Sequence, residues 1–136
     1  MPHFTDLPNQ VLDDVAVRHA IAVLDRHMEA LNAHSEEGLA ATLHFPHYRL
    51  SGGRMQVWDS PGYYLTDFLA RAGDGWHHSA WTSQAPMAAT AQKVHLDVTF
   101  TRYRADGSQL GSFRSLWILA CLNGRWAAQV RSSFAA

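Results

Sequence analysis

The chain has a single cysteine, Cys121, among its 136 residues. A lone thiol closes no internal disulfide, so the fold must hold by packing alone. Its setting in the apolar run "LWILACL" marks it as a small buried hydrophobe rather than a nucleophile. Charge is also sparse: 17% of residues are charged, the net charge is −1, and the eleven Lys and Arg are scattered. That leaves no basic patch for nucleic acid or an anionic membrane. No apolar run approaches the roughly 20 residues that span a bilayer. The opening "MPHFTDLPNQ" lacks the basic start and apolar core of a signal peptide. A cytoplasmic protein is the expectation, with neither membrane nor nucleic acid as a partner.

What the chain does have is apolar content, 47% of residues, enough at this length for one domain, 1–136, with a real core. Residues 9 to 34 carry Val17, Ala20, Ile21, Leu24, Met28 and Leu31 at helical spacing. Ser35 can cap a short second helix whose first turn holds Glu36 and Glu37, suited to the positive end of its dipole. Leu39 and Leu43 give that helix an apolar side, and Pro46 is expected to stop it. "HYRL" and "RMQVW" flank Ser51-Gly52-Gly53 as a hairpin. Ser60 and Pro61 open a third helix as N-cap and first residue, through Tyr64, Leu65, Phe68 and Leu69 to Gly73 and Gly75. Four strand-like runs follow: 75–87, 93–104, 112–122 and 125–134, with turns at Asp106-Gly107 and Asn123-Gly124. "LWILACL" is apolar on both parities and "RWAAQV" nearly so, which predicts strands covered on both faces. Helices can cover one face, and a second copy of the chain is the economical cover for the other.

This order of elements, with "HFPHYRL" opening the first strand and "NGRWAAQVRSSF" closing the chain, resembles the nuclear transport factor 2 family. Its superfamily includes ketosteroid isomerase, scytalone dehydratase and the SnoaL-like polyketide cyclases, and the closing "RSSFA" resembles an uncharacterised bacterial branch. The resemblance implies an α+β cystatin-like fold: a cone-shaped, curved, mostly antiparallel sheet wrapped around helices, enclosing an apolar cavity. It also implies pairing through the convex face of the sheet, a homodimer.

Fold does not give function, so the residues must. In ketosteroid isomerase an aspartate base faces a tyrosine and a protonated aspartate. Carried over by position, the tyrosine falls near His27, the base at Ser51 or Gly52, and the protonated acid near Leu116. Both carboxylates are missing, which argues against that mechanism. His27 shares the apolar side of the first helix with Ala20, Leu24 and Leu31, as a core histidine or as a general acid or base.

His44 and His47 in "HFPHYRL" raise a metal site, but zinc takes three or four protein ligands. His77 and His78, adjacent on a strand, point to opposite faces. No metal and no cofactor are expected. The alternative is a corner in which Pro46 ends the helix, Phe45 plugs the core, and both histidines lie at a cavity rim. On the last strand, Gln129, Arg131 and Ser133 form one row, which the resemblance turns toward the cavity; exposure near the sheet edge is the other reading. Arg131 would then need a carboxylate partner, with Asp97 a candidate, or an anionic ligand. Two functions follow. One is a small-molecule-binding domain, non-catalytic or accessory, with ligand contacts from His44, His47, Trp58, Phe68, Trp81, Asp97 and Gln129. The other is a cofactor-free isomerase, dehydratase or cyclase working by proton transfer through His27, Tyr48, Tyr64 and Arg131.

Overall fold

The computed structural model describes residues 12–135. The first helix, α1 (Asp14–Asn32), begins where the Asp13 side chain accepts the Ala16 N–H at 2.9 Å. That is a standard N-cap. The part of the expected helix before residue 12 lies outside the described residues. Ala16, Ala20, Val23, Leu24, His27, Met28 and Leu31 make the buried side of α1. Asn32 ties its far end to the sheet: its amide donates to Ser79 O and accepts from Ser79 N–H, both at 2.9 Å.

The second helix, α2 (Glu36–Thr42), is capped by Ser35 as expected, through Gly38 N–H at 2.9 Å. It does not reach Pro46. Leu43 is already extended, at φ −118 and ψ 142, and opens strand β1 (Leu43–Ser51). Two features end the helix early. The Thr42 hydroxyl turns back on the Gly38 and Leu39 carbonyls, and Leu43 pairs with Ala128 on the last strand. Pro46 therefore sits inside a strand, after a cis Phe45–Pro46 peptide, and the predicted corner is not formed.

Strand β2 (Arg54–Trp58) returns antiparallel to β1, and α3 (Pro61–Ala72) follows. Ser60 occupies the N-cap position of α3, but its hydroxyl makes no capping bond. Then come β3 (His78–Ala89), β4 (Lys93–Tyr103), β5 (Gln109–Leu122) and β6 (Arg125–Ser133). Asn123 and Gly124 both have positive φ, 52 and 77, as a tight turn between right-twisted strands requires.

The six strands form one curved, unclosed sheet in the order β2-β1-β6-β5-β4-β3. Among the described residues, only the β1–β6 pair is parallel. The helices pack on its inner face around Leu24, Leu39, Leu43, Val94, Leu96, Val98 and Leu119. Cys121 is half-buried rather than in the core.

One irregularity decides which residues face inward. Along β5 and β6, Leu119 pairs with Ala128 but its neighbour Ile118 pairs with Val130. Gln129 is thus an extra residue, a β-bulge that re-aims the strand. Before it, Ala128 is buried in the core; after it, Arg131 and Ser133 are buried. The expected row of Gln129, Arg131 and Ser133 is broken at its first member. No helix among the described residues is long and apolar enough to cross a membrane.

Candidate functional site

A cavity lies between α1, α3 and the inner face of the sheet. Its walls are apolar and aromatic, with Met28, Leu31, Phe68, Trp81, Phe100 and Trp117. The space open to the centres of water molecules is about 40 Å³. The whole volume between the lining atoms, solvent-connected space included, is about 430 Å³. The smaller figure measures what is free in this conformation, room for a few waters.

His27, Tyr64 and Arg131 meet in this cavity. Arg131 Nη1 donates to the Tyr64 hydroxyl at 2.6 Å and approaches His47 Nε2 at 3.1 Å. Tyr64 Oη lies 3.2 Å from His27 Nε2, and His27 Nδ1 lies 3.1 Å from the Thr42 hydroxyl. Donor counting assigns the protons. A guanidinium only donates, so Tyr64 and His47 Nε2 accept from it. Tyr64 is then free to donate to His27 Nε2, leaving the proton on Nδ1, which points at Thr42. His47 carries its proton on Nδ1 too, facing the Ala128 carbonyl at 3.1 Å. Both imidazoles are therefore neutral. Burial, reinforced by the Arg131 charge, pulls His27 down to about 3 and His47 well below the ordinary histidine value.

Arg131 is fixed further by rings. Its guanidinium carbon lies 4.7 Å from the Trp117 centroid, 5.1 Å from Tyr64 and 5.8 Å from Trp58. Trp58 donates its indole N–H to Asp67 at 2.6 Å, and Trp81 donates to the Leu24 carbonyl at 2.8 Å.

Three further arginines line the same cavity: Arg49, Arg71 and Arg102. Arg49 sits beside Arg131 on the adjacent strand and donates to Gln56 Oε1 at 3.1 Å and to Ala135 O at 2.7 Å. Arg71 packs against Trp58 and Phe68, and Arg102 against Phe68, Phe100 and Phe113. Arg71 Nε and Nη1, Arg102 Nε and Trp117 Nε1 are buried donors without a hydrogen-bond partner among the described residues. Burial first, and repulsion from Arg131 second, pull Arg71 down to about 9 and Arg49 to about 10, with Arg102 shifted the same way. All three stay charged at neutral pH. Among the described residues, no Asp or Glu lines the cavity.

The remaining candidates lie elsewhere. Asp97 is no partner for Arg131: it faces outward and holds Arg114 in a two-pronged ion pair, at 2.9 and 2.5 Å. Tyr48 alternates with the buried His47 and Arg49 and so points to the outer face. His44 and Gln129 line a separate cleft with Phe45, Pro46 and Arg125. There His44 binds Ala120 O and Arg125, and Gln129 donates to Pro46 O. His47 is fully buried rather than at a rim. The position carried over to Leu116 also slips by one, since Ser115 and Trp117 are the cavity residues. Among the described residues, no group of three His, Cys, Asp or Glu comes close enough to hold a metal.

Three arginines went unmarked in the sequence although it carried their signal. Arg102 continues the inward row Val94, Leu96, Val98, Phe100. Arg49 is two residues beyond His47, and Arg71 is seven beyond Tyr64 on the apolar side of α3.

No protein-family model matches the sequence, and no curated protein matches it. Solved structures do match in shape. A protein of unknown function with a cystatin-like fold from Nostoc punctiforme superposes with a TM-score of 0.73 at 12% identity, covering 92% of this chain and 94% of that one. A nuclear transport factor 2-like protein of unknown function from Pseudomonas putida gives 0.71 at 13%, with 93% and 90% covered. A putative Ca/calmodulin-dependent kinase II association domain from Exiguobacterium sibiricum gives 0.66 at 14%, with 93% and 97% covered. Whole-chain likeness at such low identity carries architecture alone: this chain has the nuclear transport factor 2-like, cystatin-like fold.

Proposed function

We propose that the protein is a small-molecule-binding domain, non-catalytic or accessory and cytoplasmic, whose cavity takes an organic anion with a flat apolar body. One observation carries this: four arginines line an aromatic cavity that has no carboxylate among its lining residues. A buried guanidinium is costly unless a counter-charge meets it. The aromatic walls suit a planar ligand. A homodimer through the outer sheet face completes the proposal. Self-association fits the exposed apolar residues there, and one solved structure of like shape is described as an association domain.

A second reading, proton-transfer catalysis by an isomerase, dehydratase or cyclase, rests on the Arg131–Tyr64–His27 chain. His27 weakens it, because an imidazole pulled to about 3 is far from the pKa near 7 that suits a general base.

The test is a thermal-shift comparison of benzoate with benzamide. The acid should raise the melting temperature of the native protein and the amide should not. Arg131→Met keeps most of the side-chain volume and should remove the difference. Equal shifts for acid and amide in the native protein would defeat the proposal.

A further inference from the structure

The unpartnered donors say more about the ligand than its sign. This step rests on the anion-binding reading and deepens it. Arg49 spends Nη1 and Nη2 on Gln56 and Ala135, and Arg131 spends Nη1 on His47 and Tyr64. These two are held by the protein itself. Arg71 and Arg102 are different: they approach the Phe68 ring at 6.0 and 5.8 Å, and Arg71 Nε and Nη1 and Arg102 Nε are buried with no hydrogen-bond partner among the described residues. Arg71 stands in the last turn of α3, where a cation suits the helix dipole. That role needs no burial, yet its Nε and Nη1 are buried. Arg102 is only 6% exposed, so water does not satisfy it in bulk. Trp58 links the two groups, with Arg131 at 5.8 Å and Arg71 at 5.6 Å from its ring. A single carboxylate at Arg131 would leave the Arg71 and Arg102 donors orphaned.

We propose that the ligand is an organic dianion, contacting Arg131 with one part of its charge and the Arg71–Arg102 pair with the other. Two carboxylates on a flat spacer or a phosphate monoester would each supply that charge. The oxygens of such a group would accept from Arg71 Nε and Nη1 and from Arg102 Nε, the buried donors left without a partner among the described residues.

Calorimetric titration of the whole protein with benzoate, 1,3-benzenedicarboxylate and phenyl phosphate tests this. At least one dianion should bind about tenfold or more tightly than benzoate, and which one does so separates a dicarboxylate from a phosphate ester. Arg71→Gln and Arg102→Gln should each erase most of that advantage. Arg71→Lys, keeping the charge without the fork, should retain part of it. Benzoate binding as tightly as both dianions would overturn the dianion inference while leaving anion binding intact. So would a dianion preference that survives both Gln variants. Binding of none of the three would overturn the anion-binding reading itself. If a Gln variant fails to fold, the native titration series still decides.

Discussion

His27 turns the geometry of the site into a pH dependence. Its ring is 2% exposed, and both nitrogens are engaged by Thr42 and Tyr64. The folded value of about 3 lies below the ordinary 6.5. The unfolded chain therefore binds a proton that the folded chain refuses between those two values. Stability is unaffected above pH 6.5, falls as the pH drops from 6.5 toward 3, and levels off below. The full loss is on the order of 5 kcal/mol from this one group, and His47 adds in the same direction. Urea midpoints should decline steadily between pH 6.5 and pH 4. His27→Gln should lower the midpoint at pH 7 but flatten that decline. A slope unchanged in the variant would show that the acid sensitivity comes from other groups.

At this scale the sequence was partly legible. Helical periodicity put His27 on the apolar side of its helix, whereas strand periodicity left both faces open for Arg131 and only the family resemblance turned its row inward. Asp97 could not be placed. Parity alone put it on a polar row, and its true partner Arg114 sits diagonally across on β5, where Thr99 pairs with Arg114 and Asp97 with Leu116. Such a diagonal neighbour appears only once the register of two strands is known.

Among the elements, the close approach of α1 and α2 depends on one glycine. A Cβ built on Gly38 would lie 2.6 Å from the Ala30 Cβ, too near for both helices to stay in place. Gly38→Ala should destabilise by about 1–2 kcal/mol, as overpacking outweighs the gain in helix propensity. Thermal or chemical denaturation reads this directly; an unchanged or raised melting temperature would mean that α2 shifts freely.

Element order was the most legible level, since caps and turns announce themselves: Ser35 before α2, Pro61 opening α3, Asn123-Gly124 between β5 and β6. The bulge at Gln129 was not. Nothing in "RWAAQVRSS" marks which residue is surplus, because that is settled by what lies opposite it on β5. The same limit hid the early end of α2. Pro46 is a local stop signal, but Leu43 leaves the helix sooner to join β6, a contact eighty-five residues away.

For the whole molecule, the outer face of the sheet sets the expectation. Met55 and Val57 are 53% and 51% exposed, and Leu50 on the neighbouring strand 40%. Tyr48, Val130 and Ile118 continue this surface across β1, β6 and β5 at half exposure. A contiguous apolar surface of this kind marks an interaction site, and a two-fold pair of identical faces is the simplest closed assembly. Light scattering at low micromolar concentration should give about twice the chain mass of 15.2 kDa. Val57→Lys, placing a charge at the centre of the face, should shift it toward the monomer. A native species at the single-chain mass would remove the dimer.

The arginine-lined cavity also sorts the charge of the molecule into two populations. Of eleven Lys and Arg, four line the cavity, which leaves seven cationic side chains elsewhere against twelve Asp and Glu. A chain that is nearly neutral in total thus carries more acidic than basic side chains apart from its cationic cavity. On the proposed reading, an incoming anion would be repelled at a distance and attracted only near the entrance, since the Debye length is about 8 Å in physiological salt. Added salt then acts in opposite senses on the two stages, easing the approach while weakening the final hold. Occupancy would also be visible without any label, as a step toward the anode in native electrophoresis equal to the charge carried in.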